Sequence, residues 1–96
     1  MSIKTLINSK RAEILRIANH HGAHNVRVFG SVARDDSTSD SDLDLLVKME
    51  SGRSLLDLVA LWQELEELLE CKVDVLTEGG LSPYLKDRIL NEAVPL

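Results

Sequence analysis

The 96-residue sequence contains a single cysteine, Cys71, so no internal disulfide can form. Such a chain fits the reducing cytoplasm, where we expect it to reside. Positive charge is also scarce, since 11 Lys and Arg stand against 16 Asp and Glu and the net charge is −5. Direct nucleic-acid binding depends on clustered Lys and Arg, so we do not expect it here. No apolar run approaches the length that crosses a bilayer, and charges interrupt residues 1–20, so we expect neither a membrane span nor a signal peptide.

The length and composition predict a single folded domain over residues 1–96. Hydrophobic residues make up 44% of the chain and charged residues 28%, proportions that argue against disorder. A chain of this size buries roughly 60–65% of the surface that its unfolded form exposes. We expect one sheet with helices packed on it and no separate substrate domain.

The spacing of apolar residues predicts two helices in the first 70 residues. The first covers residues 3–20 and ends at Gly22, since glycine adopts the left-handed conformation at a helix end without a Cβ penalty. The second begins after Ser54, where Ser-x-x-Asp precedes an apolar run as in a capping box. Its predicted buried stripe consists of Leu55, Leu58, Trp62, Leu65 and Leu69. We expect Trp62 to anchor this helix in the core.

A third helix is predicted over residues 84–93. Ser82–Pro83 precedes it, and this pair fits an N-cap followed by proline at the first helical position. We expect Leu85 and Ile89 to face the core and Tyr84 to be partly buried.

Short β-branched or alternating segments predict three strands, over residues 26–29, 43–47 and 71–76. The order along the chain is helix, strand, strand, helix, strand, helix. This order predicts the α/β (α+β) class, with a small mixed β-sheet packed with helices.

Acidic residues lie in two of these predicted strands. Asp42 and Asp44 are separated by one residue, so alternation places their side chains on one face of a strand. Asp74 lies between Val73 and Val75, where an unpaired charge is costly and needs an explanation. Three converging carboxylates can hold a divalent cation, and their mutual repulsion should raise the pKa of at least one of them. Solvated strand ends also carry Asp-x-Asp, so this pair alone does not establish a metal site.

The Gly30–Ser31 step is suited to binding phosphate. Glycine allows the backbone to approach an anion closely, and Ser31 supplies a hydroxyl and an N–H group at a potential helix N-terminus. Arg34 can add a charge-assisted contact to a phosphate oxygen.

These features occur in a recognisable combination. Gly-Ser-Val-Ala-Arg at residues 30–34 is followed by Ser-Asp-Leu-Asp-Leu-Leu-Val at 41–47, with ten residues between Gly-Ser and Asp-x-Asp. This pattern resembles the signature of the nucleotidyltransferases of the DNA polymerase β superfamily. The residues of these two motifs and the short chain resemble those of the minimal nucleotidyltransferases. The resemblance implies a polymerase-β-like nucleotidyltransferase fold.

The resemblance implies a role for each matching residue. Gly30 and Ser31 would bind the nucleotide phosphates, and Asp42 and Asp44 would bind Mg²⁺. Asp74 matches the third family carboxylate, which assists the metal or acts as general base toward the acceptor hydroxyl. The chain departs from the family at Asp35, where a glycine often follows the arginine. A carboxylate there places the phosphate-binding role of Arg34 in doubt.

The resemblance also implies a biological role. Minimal nucleotidyltransferases commonly act as antitoxins of HEPN-family RNase toxins, by transferring AMP from ATP to a tyrosine hydroxyl of the toxin. We therefore expect ATP and a HEPN toxin as partners, in a hetero-oligomer whose second subunit supplies the acceptor surface.

Two alternatives remain open from the sequence. The chain could neutralise a toxin by binding alone, with the acidic residues retained for ATP or metal. It could also transfer a nucleotide to a small-molecule hydroxyl, although it has no predicted acceptor domain for such a substrate.

Overall fold

The computed structural model describes residues 3–34 and 42–96 of the chain. Its helices are α1 (Ile3–Ser9), α2 (Arg11–His20), α3 (Leu55–Leu69) and α4 (Pro83–Glu92). Its strands are β1 (Ala23–Phe29), β2 (Leu43–Met49), β3 (Val73–Thr77) and β4 (Val94–Pro95), and a short 3₁₀ turn covers Glu78–Gly80. The predicted order of elements and the α/β class are confirmed, with β4 as an addition.

The prediction of one continuous helix over residues 3–20 was wrong. Lys10 leaves the helical conformation, with φ −105° and ψ 9°, and separates α1 from α2. The Ser9 hydroxyl donates a 2.8 Å hydrogen bond to the Leu6 carbonyl. Such local side-chain bonds compete with the helical ladder, which accounts for a break at this point.

The four strands form one mixed sheet in the order β3-β2-β1-β4. Strand β2 runs parallel to β3 and antiparallel to β1, and β1 runs antiparallel to β4. Strand β2 is therefore central, and alternate residues of it point to opposite faces.

The main core covers one face of this sheet. It unites the apolar sides of α1, α2 and α3 with Leu43, Leu45 and Val47 of β2, all of which are essentially fully buried. A smaller cluster on the other face contains Phe29, Leu46 and Ile89, so α4 covers only part of that face. No helix in the described ranges is long and apolar enough to cross a membrane.

The capping box of α3 is confirmed. The Leu56 N–H donates to the Ser54 hydroxyl at 3.2 Å, and the Ser54 N–H donates to the Asp57 carboxylate at 2.9 Å. The buried stripe differs from the predicted one, because it consists of Leu61, Leu65 and Leu69.

The prediction that Trp62 anchors the core was consequently wrong. Adjacent helical positions are separated by about 100° of rotation, so burial of Leu61 turns Trp62 to the flank of the helix. The Trp62 side chain is 38% exposed, and Leu55 at the start of the same helix is 72% exposed.

Helix α4 begins as predicted, with the Tyr84 N–H donating to the Ser82 hydroxyl at 3.3 Å. Ile89 faces the sheet as expected, but Leu85 is 47% exposed and Tyr84 is 95% exposed. The expected burial of these two residues was wrong because only the C-terminal half of α4 packs against the sheet, through Ile89 and Leu90.

Candidate active site

The acidic residues meet at one edge of the sheet. Strand β1 ends there at Phe29, which pairs with Asp44 near the start of β2. Asp44 in turn lies opposite Asp74 in the parallel pair of β2 and β3. Residues directly opposite each other on neighbouring strands share a face, so both carboxylates project from the face that α4 leaves partly open. Asp42 directly precedes β2, two residues from Asp44.

Gly30 fixes the position of the Asp44 carboxylate. The φ of Gly30 is 76°, in the left-handed region where glycine is favoured. A Cβ atom added to Gly30 would collide with the Asp44 Oδ2 atom. The Asp44 carboxylate therefore occupies space that only glycine leaves open, and the Gly-Ser step adjoins the acidic residues directly.

A tight turn carries the Gly-Ser step beyond the end of β1. The Arg34 N–H donates to the Gly30 carbonyl at 3.1 Å, which closes one helical turn over residues 30–34. Val32 is 3% exposed and anchors this turn in the main core, while Ser31 is partly exposed. The following residues 35–41, which include Asp35, lie outside the described residues.

The electrostatics of the site centre on Asp44. Burial raises the pKa of the Asp44 carboxyl, and repulsion from Asp74 and from Asp42 raises it further. Arg34 opposes this shift and Glu92 adds to it. The expectation that convergence would raise the pKa of at least one of the three carboxyls agrees with this arrangement. A bound cation would relieve the part of this pKa shift that comes from repulsion by Asp74 and Asp42.

Arg34 is held by a residue that the sequence analysis did not single out. Its guanidinium donates to the Glu92 carboxylate near the end of α4 at 2.5 Å. The Glu92 side chain is 17% exposed, and that of Arg34 is 46% exposed. No local pattern joins two residues that are 58 positions apart, so this ion pair could be found only from the fold.

The acidic edge opens into a groove on the β3 side. Its lining residues are Phe29, Asp44, Trp62, Asp74, Val75 and Leu76, and its volume is about 340 Å³. Helix α3 is held beside the groove because the Glu66 carboxylate accepts a 3.0 Å hydrogen bond from the Val73 N–H at the start of β3. Trp62 lies one helical turn before Glu66, and it brings an aromatic ring to the groove that carries Asp74.

The chemistry of the acidic groups fits a hard cation such as Mg²⁺. Across residues 3–34 and 42–96, no three acidic, histidine or cysteine side chains are placed to hold a metal ion by themselves. Mg²⁺ usually takes one or two carboxylates together with water and substrate phosphates. One or two of the carboxylates of Asp42, Asp44 and Asp74 thus fit a cation that is bound together with a nucleotide.

Comparison with known proteins identifies the class. The model of the nucleotidyltransferase domain family matches residues 11–96, and the chain belongs to that family. A solved "putative minimal nucleotidyltransferase" superimposes with a TM-score of 0.89 at 49% identity, over 100% of this chain and 97% of the other. The resemblance drawn from Gly-Ser and Asp-x-Asp is therefore confirmed, and the protein is a nucleotidyltransferase with the corresponding fold.

The names of similar proteins are more specific than the family name. The "putative protein adenylyltransferase MJ0435" of Methanocaldococcus jannaschii is 51% identical over 88 residues, which cover 92% of this chain and 95% of the relative. The protein adenylyltransferase MntA of Thermococcus cleftensis is 32% identical over 92 residues, covering 96% of this chain and 90% of the relative. A chain of a toxin–antitoxin crystal structure with AMP-PNP shares the fold, with a TM-score of 0.75 at 19% identity, over 88% of this chain and 69% of the other.

Proposed function

We propose that this protein is the antitoxin of a toxin–antitoxin pair and transfers AMP from ATP to a tyrosine hydroxyl of a HEPN-family RNase toxin. The observation that carries the proposal is the placement of Asp44 opposite Asp74 and against Gly30. This arrangement joins a phosphate-binding turn to a carboxylate pair on one rigid edge. The relatives named as protein adenylyltransferases, and the toxin–antitoxin structure that shares the fold, support the choice of substrate class and partner.

In this proposal the turn after β1 and the residues at the start of β2 bind the nucleotide. The Ser31 hydroxyl and N–H donate to phosphate oxygens, and Gly30 lets the triphosphate approach the backbone. Asp42 and Asp44 hold Mg²⁺, which when bound neutralises phosphate charge and orients the α-phosphate. The ion pair with Glu92 fixes Arg34 beside the Asp44 carboxylate, where its charge offsets part of the acidic repulsion.

Asp74 acts on the acceptor in the same proposal. The tyrosine oxygen forms a bond to the α-phosphorus of ATP while its proton passes to the Asp74 carboxylate. The bond between the α-phosphorus and the oxygen that bridges to the β-phosphate breaks, and pyrophosphate leaves with that electron pair. The products are a tyrosine-bound AMP and pyrophosphate, so atoms and charge balance without a further reactant.

Intact mass spectrometry tests the proposal. The proposed HEPN-family partner is incubated with this protein, ATP and Mg²⁺, and we expect its mass to increase by one or more AMP groups. Peptide sequencing then places the modification on a tyrosine. The Asp42→Asn/Asp44→Asn double variant is the matched control and should leave the mass unchanged. An unmodified partner, in a mixture in which the two proteins co-purify, contradicts the enzymatic proposal.

A further inference from the structure

The order of the strands determines the side from which each substrate reaches the nucleotidyl-transfer site. Strands β1, β2 and β3 are consecutive neighbours, so the Gly30 turn lies on the β1 side of Asp44. The groove reaches from Phe29 at the end of β1 to β3, and the part of its lining that Asp74, Leu76 and Trp62 form lies on the β3 side. In-line transfer places the attacking oxygen and the leaving group on opposite sides of the phosphorus. Because the leaving phosphates belong with the Gly30–Ser31 turn, the attacking hydroxyl has to approach from the β3 side.

The groove on that side has two chemically different walls. Asp44 and Asp74 form a carboxylate wall, while Trp62, Val75 and Leu76 supply apolar surface. A phenol matches both walls, because its ring is apolar and its hydroxyl is a donor for a carboxylate. A serine or threonine hydroxyl reaches the same carboxylates but has no ring to cover the apolar wall.

Trp62 is held in place and yet accessible. Its neighbour Leu61 is fully buried, Leu65 is 1% exposed, and Trp62 itself is 38% exposed. The hydrogen bond from the Val73 N–H to Glu66 joins the same stretch of helix to the strand that carries Asp74. A large aromatic ring on a rigid helix beside a reactive carboxylate offers a preformed surface for a second ring, and such surfaces dominate recognition energies.

We propose that Trp62 is the specificity-determining residue of the acceptor site and stacks against the ring of the tyrosine that receives AMP. This inference rests on the proposed function and adds the residue that selects tyrosine over aliphatic hydroxyls. Trp62 is not a catalytic residue in this scheme, since the proton and the phosphorus are handled at the carboxylate wall.

Binding without transfer tests the inference directly. Trp62 is the sole tryptophan of the chain, so its fluorescence reports on this one position. With Mg²⁺ and AMP-PNP present, we expect N-acetyl-tyrosinamide to change the fluorescence saturably, and N-acetyl-serinamide and N-acetyl-leucinamide to leave it unchanged. Leu76→Ala should weaken the response, because Leu76 lines the groove. Leu56→Ala should leave it unchanged, because Leu56 is an exposed apolar residue of α3, the helix of Trp62, and lies outside the groove. The inference is overturned by equal responses to all three amides or by no response. It is also overturned by a signal that depends only on protein concentration, because a second copy of the chain then covers Trp62.

Transfer kinetics separate recognition from chemistry. Trp62→Ala should raise KM for the toxin about tenfold, from the loss of one aromatic contact, and leave KM for ATP unchanged. Trp62→Phe should recover most of the loss, and Leu56→Ala should behave as the parent. An unchanged acceptor KM in Trp62→Ala, or a rise in the KM for ATP instead, overturns the acceptor assignment. If the parent transfers no AMP while the amide titration still selects tyrosine, the ring-binding site stands and the proposed function fails.

Discussion

Gly30→Ala is the substitution that most directly probes how the fold positions the acidic edge. The φ of Gly30 is 76°, and an added Cβ would meet the Asp44 Oδ2, Cγ and Cβ atoms. The change therefore has two separable effects, which are backbone strain at position 30 and displacement of the Asp44 carboxylate. Gly52 provides a matched control, because its φ is 87° and nothing lies within 4 Å of an added Cβ.

The two effects have different magnitudes and readouts. A non-glycine residue in the left-handed conformation costs about 1–2 kcal/mol, so both variants should lose about that much in the free energy of unfolding. For a domain of this size, each kcal/mol corresponds to about 4–8 °C in Tm. Only Gly30→Ala also moves Asp44, and a displacement of about 1 Å in a catalytic group costs on the order of 100-fold in rate.

Parallel urea unfolding and AMP-transfer assays distinguish these contributions. We expect Gly52→Ala to be destabilised and fully active at a temperature where it is folded. Gly30→Ala should be destabilised at least as much and should transfer AMP about 100-fold more slowly under the same conditions. A folded Gly30→Ala variant with the parental transfer rate would refute the argument that Gly30 positions the Asp44 carboxylate.

Three further predictions follow from the same edge. Ser31→Ala removes one hydrogen bond to a charged phosphate and should weaken ATP use roughly ten- to a hundredfold without lowering Tm; unaltered steady-state kinetics would exclude the contact. Asp44→Asn should abolish transfer and stabilise the nucleotide-free protein at pH 7, because a carboxyl whose folded-state pKa is raised destabilises the fold while it is ionised. This advantage should shrink as the pH falls through the raised pKa and the parental Asp44 becomes protonated, which urea titrations at several pH values can check. Asp42→Ala with Asp44→Ala should co-purify with the toxin but fail to add AMP and fail to restore growth; growth rescue equal to the parent would instead favour neutralisation by binding alone.

The strands and the acidic residues could be predicted because their patterns are local. Leu43, Leu45 and Val47 alternate with polar or differently facing neighbours, and strict alternation leaves one assignment of faces. The same alternation predicts that the side chains of Asp42 and Asp44 lie on one side of the strand. The placement of Asp74 opposite Asp44 could not be predicted from a local pattern, because it depends on the parallel register of two strands that lie 30 residues apart.

The helices were less predictable because helical periodicity tolerates more than one buried stripe. In α3, Trp62 and Leu61 each belong to a run with helical spacing, and only packing against the sheet decides between them. The Arg34–Glu92 pair and the exposure of Tyr84 depend on where α4 crosses the second face. No local sequence signal encodes that crossing, so the groove beside Asp74 emerged only from the structure.

The position of Asp44 on β2 explains how a small domain can hold a carboxylate in place against the repulsion of its acidic neighbours. Leu43 and Leu45 flank Asp44 and are each 0% exposed, so the backbone on both sides of the carboxylate is fixed by the main core. Gly30 limits the carboxylate from the β1 side, and Asp74 limits it from the β3 side. Repulsion that would push a loop apart is here resisted by a strand buried on its other face. Burial and this repulsion together raise the pKa of Asp44 in the nucleotide-free protein, and a cation bound with the nucleotide would recover the repulsive part as binding energy.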